Sequence, residues 1–296
     1  MRFRRQRVLI IGCGDVGQRA AAALPARVRV LALTSTPSRL GELRARGITP
    51  LRGNLDQPAT LRRLAGLADR VLHLAPPPGE GTDDARTRAL LRALRLRTPP
   101  AALVYGSTSG VYGDCGGEWV SETRSLQAGT ARASRRVAAE RHVRFNGRSA
   151  GVRTSILRIP GIYAPDREGG TPRERLQRGT PVLRAEDDVY TNHIHADDLA
   201  RACLAALWHG APQRVYHVND DTQLKMGDYV DLAARLYGLP APRRISRQEA
   251  AQELSPMLLS FMGESRRLDN TRMKRELRVA LRYPGVAEGL RAANAR

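Results

Sequence analysis

The chain has 296 residues, 42% of them hydrophobic, so it is long enough to bury one large α/β core or two smaller ones. Its apolar runs are too short for a membrane span and no secretory leader is recognisable, so a cytoplasmic protein without a membrane partner is expected. The net charge of +20 comes almost entirely from arginines spread over the whole chain without a basic tail, which disfavours nucleic acid as a partner, and three scattered cysteines predict no metal site.

The stretch from Arg7 to Gly17 predicts a strand, a tight turn and a helix. A β-branched apolar run leads into Gly-Cys-Gly-Asp-Val-Gly, and an alanine-rich helix is predicted from Gln18 to Leu24. Gly12 permits the turn, Gly14 lets a pyrophosphate approach the backbone, and Gly17 lets the helix pack closely on the strand. With a strand before it and a helix after it, this glycine pattern indicates a dinucleotide-binding loop, whose phosphates would face the helix N-terminus.

The next segment indicates which dinucleotide would bind. Val28 to Leu33 predicts a second parallel strand, and Thr34, Ser35 and then Arg39 follow its end. An acidic residue here would bind the ribose hydroxyls of NAD, whereas hydroxyls and an arginine suit the 2′-phosphate of NADP. Since no acid is present, NADP is preferred over NAD. The alternative is that Thr34 and Ser35 only cap a helix predicted from Ser38 to Arg46.

Strands and helices continue to alternate after this point. A leucine-rich segment from Thr82 to Leu96 predicts a helix, and three apolar segments predict strands. These strands are Ile48 to Gly53, Val71 to Ala75 and Ala101 to Tyr105. The alternation predicts a doubly wound parallel sheet with its ligand at the carboxyl ends of the strands.

Five further segments follow one another in a characteristic order. They are G-S-T-S-G-V-Y-G (106–113), a helix from Thr130 to Phe145 that contains A-A-E, L-R-I-P-G-I-Y-A-P (157–165), N-H-I-H-A-D-D-L-A (192–200) and R-Y-P-G-V-A-E-G-L (282–290). In these motifs the chain resembles the extended short-chain dehydrogenase/reductases, the NAD-dependent epimerase/dehydratase family. The resemblance covers essentially the whole chain and implies a Rossmann-type α/β fold with a smaller C-terminal substrate lobe.

The resemblance also implies a domain division and a cofactor site. The NAD(P)-binding domain would comprise 1–158 plus 191–219, and the substrate lobe 159–190 plus 220–296, including an amphipathic helix from Met226 to Tyr237. The implied cofactor contacts run from the pyrophosphate through the adenine to the nicotinamide. They are Gly12, Gly14, Asp15, Val16, Gly17, Thr34, Ser35, Arg39, Asn54, Leu55, Leu74, Ala75, Pro76, Ser107, Arg136, Pro160 and Ile162.

The implied catalytic residues depart from the family pattern. Thr108 stands where the family keeps a catalytic serine or threonine, and its hydroxyl can donate to a substrate carbonyl oxygen. The family's Tyr-x-x-x-Lys positions hold Arg132 and Arg136 instead, and arginine has no acceptor and stays protonated. Arg136 could still donate to ribose hydroxyls and Arg132 could bind an anion. The alternative is that both are ordinary solvated helix arginines.

A second departure concerns the proton donor. Sugar 4,6-dehydratases of the family carry Asp-Glu directly after the threonine, but this chain has Ser109 and Gly110 there, which argues against that elimination. A substitute donor would have to come from elsewhere. The candidates are Tyr112, Tyr163, His193 and Glu122, and the substrate would contact Ser109, Tyr112, Tyr163 and His193.

Two functions remain open at this point. The first is an NAD(P)-dependent oxidoreductase or epimerase with a modified proton relay, acting on a small carbonyl or hydroxyl substrate. The many arginines would suit an anionic substrate. The second is a dinucleotide sensor or scaffold that kept the cofactor site without the chemistry. By resemblance, pairing through helices beside the sheet would give a homodimer.

Overall fold

Strands and helices alternate through the first third of the chain in the computed structural model, which describes residues 5–292. The elements are β1 (Arg7–Ile11), α1 (Asp15–Ala22), β2 (Arg29–Thr34), α2 (Arg39–Ala45), β3 (Thr49–Arg52), β4 (Arg70–His73), α3 (Ala85–Leu94) and β5 (Ala102–Thr108). Each predicted strand and helix of this part is therefore present, with its ends shifted by a few residues.

Longer helices and several very short strands make up the rest of the chain. They are β6 (Trp119–Val120), α4 (Ala131–Ala150), β7 (Arg153–Ile159), β8 (Gly161–Tyr163), α5 (Arg173–Gln177), β9 (Val182–Leu183), β10 (Tyr190–Thr191), β11 (His193–His195), α6 (Ala196–His209), β12 (Arg214–His217), β13 (Leu224–Lys225), α7 (Met226–Tyr237), β14 (Arg244–Ile245), α8 (Arg247–Glu253), α9 (Pro256–Met262), β15 (Arg267–Leu268), α10 (Thr271–Glu276) and α11 (Val286–Arg291). None of the described helices is long and apolar enough to cross a bilayer.

Seven parallel strands form the central sheet in the order β12-β7-β5-β4-β1-β2-β3. The chain builds one side of the sheet through β3 and then crosses over to β4, so the strand order reverses between β1 and β4. A ligand crevice forms at such a reversal, outside the carboxyl ends of the strands. The predicted Rossmann-type doubly wound sheet is confirmed.

Both faces of the sheet are covered by helices. Val8 and Ile10 of β1 belong to one apolar cluster, together with residues of α1 and α6, while Leu9 and Ile11 belong to a second cluster with residues of α3 and α4. All four side chains are at most 1% exposed. Because alternate residues of a strand face opposite sides, a strand buried on both faces must be continuously apolar, as β1 is.

Two element boundaries differ from the sequence prediction in ways that matter for the site. The helix α1 begins at Asp15 rather than at Gln18, because the turn needs only Gly12 to Gly14 and Gly17 is accommodated inside the helix. The strand β5 continues to Thr108 rather than ending at Tyr105, since Gly106 to Thr108 pair with β7. The extension places Thr108 at the carboxyl edge of the sheet.

The C-terminal elements pack beside this edge. Residues of α5, α7 and α11 enclose the Tyr163 side chain, and α8 and α9 pack against β9 and β14. The bounds of α7 coincide with those of the predicted amphipathic helix.

Candidate functional site

The turn after β1 requires glycine at its first position. Gly12 has a φ of +84°, and a Cβ there would lie 2.4 Å from the backbone nitrogen of Ala75. That nitrogen and the nitrogen of Leu74 both donate to the carbonyl oxygen of Ile11, at 3.1 and 2.7 Å. The end of β4 is thereby held directly against the glycine turn, and a side chain at Gly12 would push the two apart.

The other two glycines meet opposite surroundings. A Cβ on Gly17 would approach the Gly12 carbonyl oxygen to 3.1 Å and Ile10 Cγ2 to 3.2 Å, so its absence lets α1 pack on β1. A Cβ on Gly14, which precedes the first residue of α1, would meet nothing within 4 Å. The open space therefore lies at the helix N-terminus, where free backbone N–H groups attract phosphate. The arrangement fits a dinucleotide pyrophosphate.

An ion-pair cluster ties this loop to the segment after β8. The Asp15 carboxylate accepts from Arg19 Nε and from Arg167 Nη1, each at 2.9 Å. Arg19 also donates to Asp197 at 2.6 Å and to Asp166 at 2.8 Å. Burial alone would lower the pKa of Arg19, but hydrogen bonds to three carboxylates raise it above its ordinary value. Asp15, predicted to contact the cofactor, thus also links the loop to the segment after β8.

Thr34 and Arg39 lie beside the same loop. The Thr34 hydroxyl accepts from the backbone N–H of Thr36 at 3.2 Å, and the N-cap of α2 is Ser38, whose side chain makes no capping hydrogen bond. The Arg39 guanidinium donates to the Cys13 carbonyl oxygen at 2.7 Å. Thr34 therefore stabilises a local turn and does not cap α2, whereas Arg39 brings a positive charge onto the glycine loop.

Arg86 connects two loops at the carboxyl edge, and sequence reasoning missed it. Its guanidinium binds both carboxylate oxygens of Asp56, at 2.7 and 2.6 Å, and donates to the carbonyl oxygen of Pro77 at 3.3 Å. Asp56 itself closes a turn onto Asn54, whose side-chain oxygen accepts from its backbone N–H at 3.0 Å. The pair holds the loop of Asn54 against the loop of Leu74 to Pro76. Nothing in the sequence distinguishes Arg86 from the other arginines.

A cavity of about 520 Å³ opens between the carboxyl edge of the sheet and the C-terminal elements. Seven residues that the sequence singled out line it together. They are Thr108, Ser109, Arg132, Pro160, Ile162, Tyr163 and His193. A second hollow, of about 800 Å³, lies at the opposite edge, around Gln6, Val28 and Arg153. Because ligands of doubly wound sheets bind at the carboxyl ends of the strands, we assign the site to the smaller cavity.

Thr108 is the last residue of β5 and caps the short 3-10 helix that follows, Ser109–Tyr112. Its Oγ1 accepts from the backbone N–H of Gly110 at 3.3 Å, which fixes the side-chain rotamer. A hydroxyl that accepts a backbone hydrogen bond can still donate its own proton. Thr108 is thus oriented to donate to an oxygen bound in the cavity.

The two arginines at the positions of the Tyr-x-x-x-Lys pair point to different places. Arg136 Nη1 donates to the Gly106 carbonyl oxygen at 2.6 Å and to the Tyr105 hydroxyl at 3.1 Å, so this side chain lies along β5. Arg132 lies at the cavity wall, with its guanidinium 4.8 Å from the ring centroid of Phe261. Arg132 is the one that a substrate in the cavity would meet.

Ser107 and Tyr112 belong to a buried network instead of the cavity wall. The Ser107 hydroxyl donates to Glu140 at 2.7 Å, and Arg158 donates to the same carboxylate at 3.1 and 2.7 Å. Arg158 also donates to the Tyr112 hydroxyl at 2.6 Å, which is 2.5 Å from His217 Nε2. Burial raises the pKa of Tyr112 to about 12. A contact between Ser107 and a cofactor would therefore have to use its main chain.

Glu122 is likewise remote from the cavity lining. Its carboxylate accepts from the backbone N–H of His217 at 3.1 Å and faces Arg272 at 3.5 Å. Burial raises its pKa above the usual range of a glutamate. Two of the four candidate proton donors, Tyr112 and Glu122, are thus placed away from the cavity.

The other two candidates, Tyr163 and His193, lie in the cavity wall. The His193 ring stacks on Tyr229 with 4.2 Å between centroids, and its Nε2 is 3.0 Å from the Thr191 hydroxyl. Burial, aided by the charge of Arg175, lowers the pKa of His193 to about 3, so the ring is neutral at physiological pH. The Tyr163 hydroxyl donates to the Gly285 carbonyl oxygen at 3.3 Å, and burial raises its pKa. Neither group gives up a proton readily.

Comparison with known proteins agrees with the fold. The sequence profile of the NAD dependent epimerase/dehydratase family matches residues 8–219. The chain belongs to this family. No curated protein sequence matches the chain.

Solved structures extend the likeness over the whole length. A conserved protein of unknown function from Silicibacter pomeroyi is 29% identical, with 98% of both chains covered and a TM-score of 0.81. UDP-glucuronic acid 4-epimerase from Bacillus cereus, in complex with NAD, is 19% identical, with 97% of both chains covered and a TM-score of 0.75. DesIV, a dTDP-glucose 4,6-dehydratase from Streptomyces venezuelae, is 20% identical, with 98% of both chains covered and a TM-score of 0.77. The similarity to the two enzymes is one of fold.

In this member of the epimerase/dehydratase family the cavity is strongly positive. Four arginines line it, whereas Glu264 is the only carboxylate among the described lining residues. The arginines are Arg132, Arg167, Arg175 and Arg266. Burial lowers the pKa of Arg175, and its guanidinium makes no hydrogen bond or ion pair with any residue from 5 to 292. An anion in the cavity would relieve this uncompensated charge.

Proposed function

We propose that the protein is an NAD(P)-dependent oxidoreductase or epimerase that acts on a small hydroxyl or carbonyl substrate. The observation that carries the proposal is the position of Thr108, whose oriented hydroxyl lines the cavity beside Pro160 and Ile162 at the carboxyl edge of the sheet. A hydroxyl donor at that point stabilises charge on a substrate oxygen as a carbonyl forms or is reduced. The reaction would take place between the glycine loop and the C-terminal lobe.

The same proposal includes a bound nicotinamide dinucleotide. The open helix N-terminus at Gly14 would hold its pyrophosphate, and the loops of Asn54 and of Leu74 to Pro76 would hold the adenosine and the central part. The cofactor supplies a hydride acceptor or donor. The two sugar-nucleotide enzymes with this fold were solved with NAD bound, which supports the assignment.

NADP is the preferred cofactor in this proposal. Thr34 and Ser35 follow β2 without an acidic residue, and Arg39 adds a guanidinium next to the glycine loop. A 2′-phosphate gains from that charge, whereas the ribose hydroxyls of NAD lack their usual carboxylate partner. Titration of the protein with NADPH and NADH, followed by cofactor fluorescence, measures the preference directly.

We further propose an anionic substrate. Arg132, Arg167 and Arg175 place three guanidinium groups in the cavity wall, and a carboxylate or phosphate group would bind them with charge-assisted hydrogen bonds. A panel of neutral and anionic carbonyl compounds, assayed by NADPH oxidation, tests both the reaction and the charge. Turnover restricted to neutral compounds would contradict the anionic assignment.

A second candidate function is a dinucleotide sensor or scaffold. Arg132 and Arg136 favour it, because neither can accept a proton and Arg136 uses its guanidinium on the backbone of β5. Tight NADPH binding without turnover over the whole panel would select this candidate. No binding of either cofactor would exclude both functions.

The domain division, a homodimer and a cytoplasmic location belong to the same proposal. The NAD(P)-binding domain comprises 1–158 plus 191–219 and the substrate lobe 159–190 plus 220–296, of which 1–4 and 293–296 lie outside the described residues. The adjacent helices α3 and α4 would form the dimer contact, and Phe145 of α4 is 62% exposed. Light scattering coupled to gel filtration, limited proteolysis and cell fractionation test these three points.

A further inference from the structure

The cavity has a hydroxyl donor, Thr108, but the arginines on α4 leave it without the acid–base group that hydride chemistry requires. A reaction that interconverts an alcohol and a carbonyl must move one proton to or from the substrate oxygen. Arginine cannot accept that proton. The group that does so must line the same cavity and must reach the oxygen that Thr108 contacts.

Glu264 meets the positional requirement. It lies in the short segment between α9 and β15, far from Thr108 in sequence, and its carboxylate lines the cavity. A Cβ placed on Gly110 would lie 3.7 Å from Thr108 Oγ1 and 3.9 Å from Glu264 Oε2. Thr108 Oγ1 and Glu264 Oε2 therefore lie on the same side of Gly110. Because Gly110 has no side chain, the space beside it between the two groups stays open to the cavity.

The Glu264 carboxylate is held at one oxygen and free at the other. Arg266 Nη1 donates to its Oε2 at 2.9 Å and to the Gly113 carbonyl oxygen at 2.5 Å, which anchors the ion pair to the loop after the 3-10 helix. Glu264 Oε1 makes no hydrogen bond to any residue from 5 to 292. The Glu264 side chain is 18% exposed. One oxygen is thus positioned by the protein while the other can accept a proton.

The other titratable groups of the cavity are less suited. His193 is neutral, stacked on Tyr229 and bonded to Thr191. Tyr163 is hydrogen-bonded to the backbone of Gly285, and its burial makes it a poor source of a proton. Tyr190 and Tyr229 also line the cavity, but the Tyr190 ring packs against the guanidinium of Arg267, and burial raises the pKa of Tyr229. Among the described lining residues, Glu264 is the only carboxylate, and it lies beside Gly110, next to Thr108.

We infer that Glu264 is the general base for alcohol oxidation at this site, and the general acid for the reverse reaction, an inference that rests on the proposed function. In the oxidation direction the substrate O–H bond breaks and its proton passes to the Glu264 carboxylate. An oxidised nicotinamide dinucleotide held by the glycine loop would accept the electron pair of the C–H bond as hydride while the C=O bond forms. The Thr108 hydroxyl donates to the oxygen throughout, and reduction reverses each transfer.

The decisive comparison is between Glu264→Gln and Glu118→Gln. The first removes the acceptor with little change of shape; the second changes an exposed glutamate, paired with Arg124 on the surface, outside the cavity. Both variants should bind NADPH within about twofold of the wild-type affinity, which shows that the fold and the cofactor site persist. With a substrate found in the carbonyl panel, Glu264→Gln should lower kcat by about 100-fold or more, and Glu118→Gln should leave it unchanged.

Rescue by a carboxylate added from solution can show whether Glu264 acts in proton transfer or only stabilises the structure. In Glu264→Ala, formate should bind beside Arg266, seen as broadening of the ¹³C-formate signal beyond that which the wild-type protein causes. The bound formate should restore turnover at least tenfold. Formate that binds without restoring turnover, or a Glu264→Gln variant that keeps kcat within about threefold, would overturn the assignment while the proposed function stands. A wild-type protein that binds NADPH but turns nothing over would overturn the enzymatic proposal and this role together.

Discussion

The buried pair of Glu140 and Arg158 should dominate the stability of the region behind Thr108. Both side chains are 2% exposed, and the Glu140 carboxylate accepts two hydrogen bonds from Arg158 and one from the Ser107 hydroxyl. The substitution Glu140→Gln keeps the shape but leaves the guanidinium charge buried without a counter-charge. Removal of one partner of such a pair costs about 3–5 kcal/mol. We expect a loss of that size in the free energy of unfolding.

Urea denaturation followed by circular dichroism measures this loss, and a double-mutant cycle assigns it to the pair. Arg158→Met combined with Glu140→Leu removes both charges, so the double variant should lose at least about 2 kcal/mol less than the two single variants together. The control is Glu118→Gln, which breaks an exposed pair with Arg124 and should leave the free energy of unfolding nearly unchanged. A Glu140→Gln variant within about 1 kcal/mol of the wild type would refute the reasoning.

Three further predictions concern the cofactor and pH. Gly14→Val should leave the protein folded, because the added atoms enter only open space, and should abolish NADPH binding, because they occupy the proposed position of the pyrophosphate. Unchanged affinity in fluorescence titration would mean that the loop is purely structural. Arg39→Glu should weaken NADPH far more than NADH, and an equal loss for both would contradict a 2′-phosphate contact. Unfolding free energy, measured by urea titration from pH 7 to 5, should fall in acid, because burial lowers the pKa of three histidines to about 3 and the unfolded chain binds protons that the folded chain does not. They are His73, His193 and His217. Asp220 opposes this trend, because burial raises its pKa to about 7 and the folded chain holds its proton in this range. The three histidines outnumber it, so a flat profile would refute the prediction.

The sequence predicted the sheet because local patterns determine it. A strand buried on both faces must be apolar throughout, and β1, β2 and β5 could be located for that reason. The three glycines after β1 were also readable, since each meets a separate local constraint in the structure. Even so, α1 begins three residues before the predicted Gln18, because helix propensity disfavours a glycine inside a helix although close packing can require one, as at Gly17.

The position of a candidate site residue could be predicted from the sequence only where a single local segment determines it. Thr108 ends β5, Pro160 follows β7 and Ile162 lies in the adjoining β8, so their placement at the carboxyl edge could be predicted from the strands. Tyr112 lies only four residues beyond Thr108, yet its hydroxyl is bound by Arg158 and His217 and faces away from the cavity. No periodicity in the sequence distinguishes these two outcomes, since they depend on partners more than 40 residues away.

The C-terminal lobe could not be read for the same reason, and the consequence for the chemistry is larger. In a chain with so many arginines, the positive charge of the cavity is expected from composition alone. Nothing in the sequence therefore distinguishes the arginines of the cavity from the others. The one carboxylate among the described lining residues is different, because Arg266 holds Glu264 by one oxygen and is itself fixed to the Gly113 carbonyl oxygen. Loss of an acid–base residue from α4 therefore does not require loss of the reaction. A proton relay needs an acceptor at the right point, and the lobe that selects the substrate can supply that acceptor as well as the helix beside the sheet can.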